Sequence, residues 1–92
     1  MKRKIALVFF ALVALVGRAQ FNVDRLMTSG QIVLHYEDYV LSMQYFNQII
    51  SLRPYLYQPW QYRAIAKYYL DDYVGAEEDA AEAIKLNPYI ED

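Results

Sequence analysis

Shifted by 34 residues, the second half of this 92-residue chain lies on its first. Asp38-Tyr39-Val40 returns as Asp72-Tyr73-Val74, Ile50 as Ile84, Leu52 as Leu86, and Pro54-Tyr55 as Pro88-Tyr89. A fixed period of this length marks a repeat architecture, in which each unit buries its apolar face only against its neighbours. Such a chain is expected to be a scaffold that binds something, and the period does not say what.

Each period reads as a pair of helices. Over residues 40–52, Ser42, Phe46, Ile49 and Ile50 follow the i, i+4, i+7, i+8 spacing of one helical face. At the repeat offset stand Ala76, Ala80, Ala83 and Ile84. Each run ends two residues before Pro54 or Pro88, because proline lacks an N–H and restricts the residue before it. Asp38 and Asp72 fit N-caps, where a short carboxylate accepts from free N–H groups of the first turn. Each of these helices is preceded by another, at residues 23–36 and 59–70, the latter with Pro59 in its first turn. Gly30 and Ala64 hold equivalent places, and a residue with almost no side chain there lets two helices approach closely. The breaks at 37–39 and 71–73 are short, so each pair is expected to form an antiparallel hairpin.

The chain opens differently. Met1-Lys2-Arg3-Lys4 is positive, Ile5 to Val16 is uninterrupted apolar sequence, and Gly17-Arg18-Ala19 places small residues at the end. Together these describe a secretory signal peptide over 1–19, cut between Ala19 and Gln20. The twelve apolar residues reach about 18 Å as a helix, against roughly 30 Å of hydrocarbon core. An uncleaved anchor and a buried core helix are the weaker readings, and no cysteine follows to carry a lipid. The leader is bacterial in style, so the expected destination is the periplasm or the cell exterior.

Charge narrows the partners. Residues 20–92 carry five Lys/Arg against eleven Asp/Glu, a net −6. Nucleic acid and anionic membrane need clustered cations, so neither is expected, and membrane contact is expected only through an uncleaved leader. The chain has no cysteine and one histidine, His35, with Gln31 and Tyr39 four residues to either side, a poor metal site. Ser29, Ser42 and Ser51 lack a triad or nucleophile elbow, and the glycines 17, 30 and 75 are isolated, so no phosphate loop exists. Asp71-Asp72 and Glu77-Glu78-Asp79 read as a turn, a cap and a solvated helix start rather than a cation site. No catalytic residue, metal or cofactor is expected, and the chain is read as a non-enzyme.

The paired helices resemble the tetratricopeptide repeat. Trp60, Ala64, Tyr73, Ala76, Ala83 and Pro88 match that family's preferred residues in unit two, and Gly30, Tyr39, Ser42, Phe46 and Pro54 match in unit one. The departures are Ser29 and Arg63 where Leu is usual, and Val33 and Lys67 where Tyr is usual. The resemblance implies an all-α tetratricopeptide-type α-solenoid of two antiparallel helix hairpins, unit one over 20–56 and unit two over 57–92. A third unit would begin at Tyr89-Ile90-Glu91-Asp92, so the chain is expected to be the front of a longer array or enzyme, or to associate with itself as a homo-oligomer. The resemblance also implies a groove lined by Met27, Gln31, Leu34 and His35 in unit one and Gln61, Ile65, Tyr68 and Tyr69 in unit two, holding a protein or peptide. The Lys and Asn clamp that some members use on a C-terminal carboxylate is replaced by Met27 with Gln31 and Gln61 with Ile65, so an apolar or aromatic segment is the expected ligand.

Ten tyrosines are an excess for this length. Tyr39, Tyr73, Tyr55 and Tyr89 recur at the period and are expected to pack between helices. Tyr36, Tyr45, Tyr57 and Tyr62 are expected in the core or the inter-unit seam. Tyr68 and Tyr69 are the best candidates for a functional surface, since tyrosine joins large apolar area to a polar handle, with packing against a following unit the equal alternative.

Overall fold

A computed structural model describes residues 22–89, so the expected leader and its cut at Ala19–Gln20 lie outside the described residues. Within them the chain is helical and contains no strand. Helix α1 occupies residues 22–35 of the described chain. It is followed by α2 (Tyr39–Leu52), α3 (Tyr57–Tyr69) and α4 (Tyr73–Leu86). The bounds of α4 are those of α2 moved by 34 residues. Helix α3 starts at Tyr57 rather than Pro59, so the proline is its third residue. That place tolerates it, because the first four N–H groups of a helix have no intrahelical partner.

The two hairpin turns repeat hydrogen bond for hydrogen bond. Asp38 N donates to Val33 O at 2.9 Å and Glu37 N to Leu34 O at 3.0 Å, while Asp72 N donates to Lys67 O at 2.9 Å and Asp71 N to Tyr68 O at 3.1 Å. This is the Schellman closure of a helix C-terminus. Its left-handed residue, usually glycine, is Glu37 at φ 65° and Asp71 at φ 66°. The next residue caps the following helix: Asp38 Oδ1 accepts from Leu41 N at 3.2 Å and Asp72 Oδ1 from Gly75 N at 3.0 Å. One residue thus closes one helix and opens the next, which folds the chain straight back on itself.

Inside each hairpin the small residues do what their size allows. A Cβ on Gly30 would stand 2.7 Å from Cε1 of Phe46 and 3.2 Å from Cβ of Tyr45, so α1 lies on α2 as closely as only glycine permits. Phe46 and Ile49 are fully buried with Val23, and Leu26, Met27, Leu34, Leu56 and Tyr62 pack around them. Burial of a side chain of that size contributes about 1.5–3 kcal/mol. Ser42 is also fully buried, and its Oγ donates to Tyr39 O at 2.8 Å, which satisfies the hydroxyl.

Helix α3 runs antiparallel to α2 and joins the two units. Phe46 stacks on Tyr62 at 5.4 Å, and seven residues back along α2 Tyr39 stacks on Tyr69, seven residues forward along α3, at 5.0 Å and 9° between planes. The link between them is held by Trp60, whose Nε1 donates to Pro54 O at 3.0 Å. Three expectations about tyrosines are corrected. Tyr36, Tyr55 and Tyr89 are 77%, 65% and 89% exposed, because they sit at hairpin and linker turns where no helix among the described residues passes over them.

Candidate functional site

Unit two differs from unit one in the polarity of its seam. Arg63 donates to Asp79 through Nε at 2.7 Å and Nη2 at 2.8 Å, and Lys67 Nζ lies 3.0 Å from the same carboxylate. Arg63 Nη1 also donates to Asn47 Oδ1 at 2.9 Å, which ties α3 to α2 and α4 together. Its guanidinium rests 4.9 Å from the centre of the Trp60 ring. Burial alone would push the Asp79 carboxyl up. The hydrogen bonds and charges of Arg63 and Lys67 outweigh that and hold it below its ordinary 3.8. Asp79 is 3% exposed, which corrects the reading of residues 77–79 as a solvated helix start. Only Glu77 and Glu78 of that run face solvent.

A concave face lies on the other side of α3 and α4. It encloses about 700 Å³ and is bordered by Gln61, Ala64, Ile65, Tyr68 and Tyr69 from α3 and Tyr73, Ala76, Glu77 and Ala80 from α4. All four of the groove positions expected in unit two border it. Those of unit one do not. Met27 and Leu34 are half-buried against the Val23–Phe46–Ile49 cluster, and Gln31 and His35 stand exposed on α1.

Aromatic rings dominate the rim. Tyr68 meets Tyr69 edge-on at 5.5 Å and Tyr73 at 5.4 Å, while Tyr69 reaches across to Tyr39. Tyr68, Tyr69 and Tyr73 are each more than half exposed. The Tyr73 hydroxyl donates to Asp71 Oδ1 at 3.0 Å. That bond and the Asp71 charge, with smaller contributions from burial and Tyr68, raise its pKa above the ordinary 10.0. Tyr39 is raised too, by partial desolvation first, then by Glu37 and Tyr69. The face therefore offers the Tyr73 phenol and the ring surfaces of Tyr68 and Tyr69 to a ligand.

The α4 side of this face was missed at the sequence level, where Ala80 was assigned to the core stripe. It is half-buried at the cavity instead, and Ile84 is 52% exposed, because no helix among the described residues covers α4 as α3 covers α2. The signal was present in the period itself: Tyr73 and Ala80 lie 34 residues after Tyr39 and Phe46, the two α2 residues on which α3 stacks.

Among the described residues no group of three or more His, Asp or Glu is placed to hold a metal ion, and no helix is long and apolar enough to cross a membrane. The chain matches no protein-family model and no curated protein.

Proposed function

We propose that this protein is an exported, non-enzymatic interaction scaffold of tetratricopeptide type, which holds an apolar or aromatic segment of another protein or peptide on its groove face. The observation that carries the reading is the cavity rimmed by Ile65, Tyr68, Tyr69 and Tyr73, four large apolar side chains left at least 40% exposed. Monomeric proteins seldom leave such surface together without a use for it. Tyrosine is also the residue type that interfaces favour, since two torsions hold a large contact area. The 34-residue period, the Gly30 and Ala64 notches and the two identical turns support the family assignment, and Met1 to Ala19 supports export.

Two units offer a modest area, so affinity rests on a few anchors rather than on size. The experiment is site-specific photocrosslinking in the producing cell, with the reactive group at Tyr68. The reading expects one discrete crosslinked partner, lost when Ile65→Arg is added, with the helical circular dichroism unchanged. A crosslink pattern indifferent to Ile65→Arg, or none at all, overturns it. Export is checked on the same material: the secreted chain should begin at Gln20.

A further inference from the structure

We propose that Tyr39 and Tyr69 form an oxidative modification site, at which a one-electron oxidant couples the two phenols into dityrosine and fastens unit two to unit one by a covalent bond. The proposal is independent of what the groove holds. The two rings lie face to face across α2 and α3, with centres 5.0 Å apart and 9° between planes. Among the described residues no other two tyrosines stack in parallel: Tyr68 meets Tyr69 at 86° and Tyr73 at 65°. A phenoxyl radical carries its unpaired spin on the oxygen and on the ring carbons beside it. Two such radicals join where those carbons face each other, as they do in a stack. An edge-on ring turns its hydrogens toward the neighbour instead. Partial desolvation, then Glu37, then Tyr69 raise the Tyr39 pKa, so the two phenol oxygens are within electrostatic reach of each other.

The pair is open to an oxidant from one side. Tyr69 is 59% exposed. Its counterpart one period earlier is His35, which stands exposed although α3 covers α2. A further unit stacked in the same way would therefore leave Tyr69 open. The oxidant is hydrogen peroxide acting through a haem peroxidase. Each phenol gives up one electron and its hydroxyl proton. The two radicals form one carbon–carbon bond between ring positions beside the oxygens. Each of those carbons then loses its hydrogen as a proton and each oxygen regains one, which restores both phenols. In sum, two tyrosines and one peroxide give dityrosine and two waters.

The test treats the intact protein with limiting hydrogen peroxide and a haem peroxidase. The expected product is a fluorescent monomer lighter by two hydrogens. Tryptic digestion should join the peptide that contains Tyr39 to the one that contains Tyr69, with fragmentation placing the bond on those residues. The yield per molecule should hold across a ~100-fold dilution, because both reactants sit in one chain. Tyr39→Phe and Tyr69→Phe keep the rings and remove the reacting phenol, so each should abolish this product with the helical circular dichroism unchanged. Tyr36→Phe and Tyr55→Phe remove well-exposed phenols and should leave it in place. The new bond closes a loop of about 30 residues and should raise the thermal midpoint by roughly 10 °C. A bond between Tyr68 and Tyr73, or between two molecules, overturns the proposal. So does the same product formed equally well in concentrated urea, since the folded stack then plays no part. An unchanged midpoint of the Tyr39–Tyr69 product overturns it also, because the bond would then have cost the contact it was to fasten.

Discussion

Arg63 holds Asp79 in a two-pronged grip across α3 and α4, Nε on Oδ2 at 2.7 Å and Nη2 on Oδ1 at 2.8 Å. In unit one the places of Arg63, Lys67 and Asp79 belong to Ser29, Val33 and Tyr45. At these three places the seam has thus been built twice, once from neutral residues and once from ions. A sheltered ion pair gains little over a well-packed neutral pair, because desolvation offsets the attraction, yet losing one member strands the others. Asp79→Ala is expected to lower stability by about 2–4 kcal/mol in urea unfolding. Replacing all three by their unit-one counterparts, Arg63→Ser, Lys67→Val and Asp79→Tyr, should recover most of that loss. A triple variant no better than Asp79→Ala would show that the seam depends on the charges themselves.

The same carboxylate sets an acid limit. Its folded pKa lies below the ordinary 3.8, so as pH falls the unfolded chain takes up the proton first. Its contribution is complete above the unfolded value and is lost as pH drops through that value toward the folded one. The stability gap between the parent and Asp79→Asn should therefore be widest at neutral pH and close below about pH 4. Urea midpoints measured from pH 7 to pH 3 check this. A gap that stays constant would mean that Asp79 gains nothing from its ionised form.

Gly30 is expected to resist even one added methyl group. Alanine would favour the helix by about 1 kcal/mol, but its Cβ would press into the Phe46 ring. Overpacking of this kind costs about 1–3 kcal/mol. Gly30→Ala should therefore be neutral to destabilising on its own. Combined with Phe46→Leu, it should cost less than the two changes added separately, as thermal unfolding of the four-member cycle would reveal. Simple additivity would mean that the helices have moved apart.

The two left-handed turn residues offer the opposite case. Glu37 sits at φ 65°, where a side chain costs roughly 1–2 kcal/mol. Glycine removes that strain and gives back part of the gain through its freer unfolded state, about 0.5–1 kcal/mol. Glu37→Gly should raise stability by up to about 1 kcal/mol in urea unfolding, a rare glycine substitution that helps. A drop would mean that the Glu37 side chain contributes more than its backbone strain.

Tyr73 gives an optical test of the rim. Its hydroxyl bond to Asp71 raises its pKa above the ordinary 10.0. Phenolate absorbance followed through alkaline titration should include late-rising components from Tyr73 and Tyr39, of which Asp71→Asn moves that of Tyr73 to lower pH. If the titration is unaffected by Asp71→Asn, the two groups do not meet in solution.

Much of this architecture could be read along the chain, because local chemistry repeats with the period. Asp38 and Asp72 cap, Pro54 and Pro88 follow helix ends, and Gly30 marks the closest helix approach, all from residue type and spacing. The resemblance to a repeat family, not spacing along the chain, assigned Ile65, Tyr68 and Tyr69 to one groove, and all three border the α3–α4 cavity. Local reading failed for Asp79, which lies among acids that look solvated until α3 brings Arg63 and Lys67 against it. It failed for Tyr36, Tyr55 and Tyr89, whose aromatic character suggested burial that their turns do not provide. The sequence by itself determined the number of hairpins, their length and their turns, since these depend on neighbours within a few residues. Only the tertiary structure decided which charges are sheltered and which apolar faces stay open. Those depend on what another helix lays across them, and no residue's own identity carries that information.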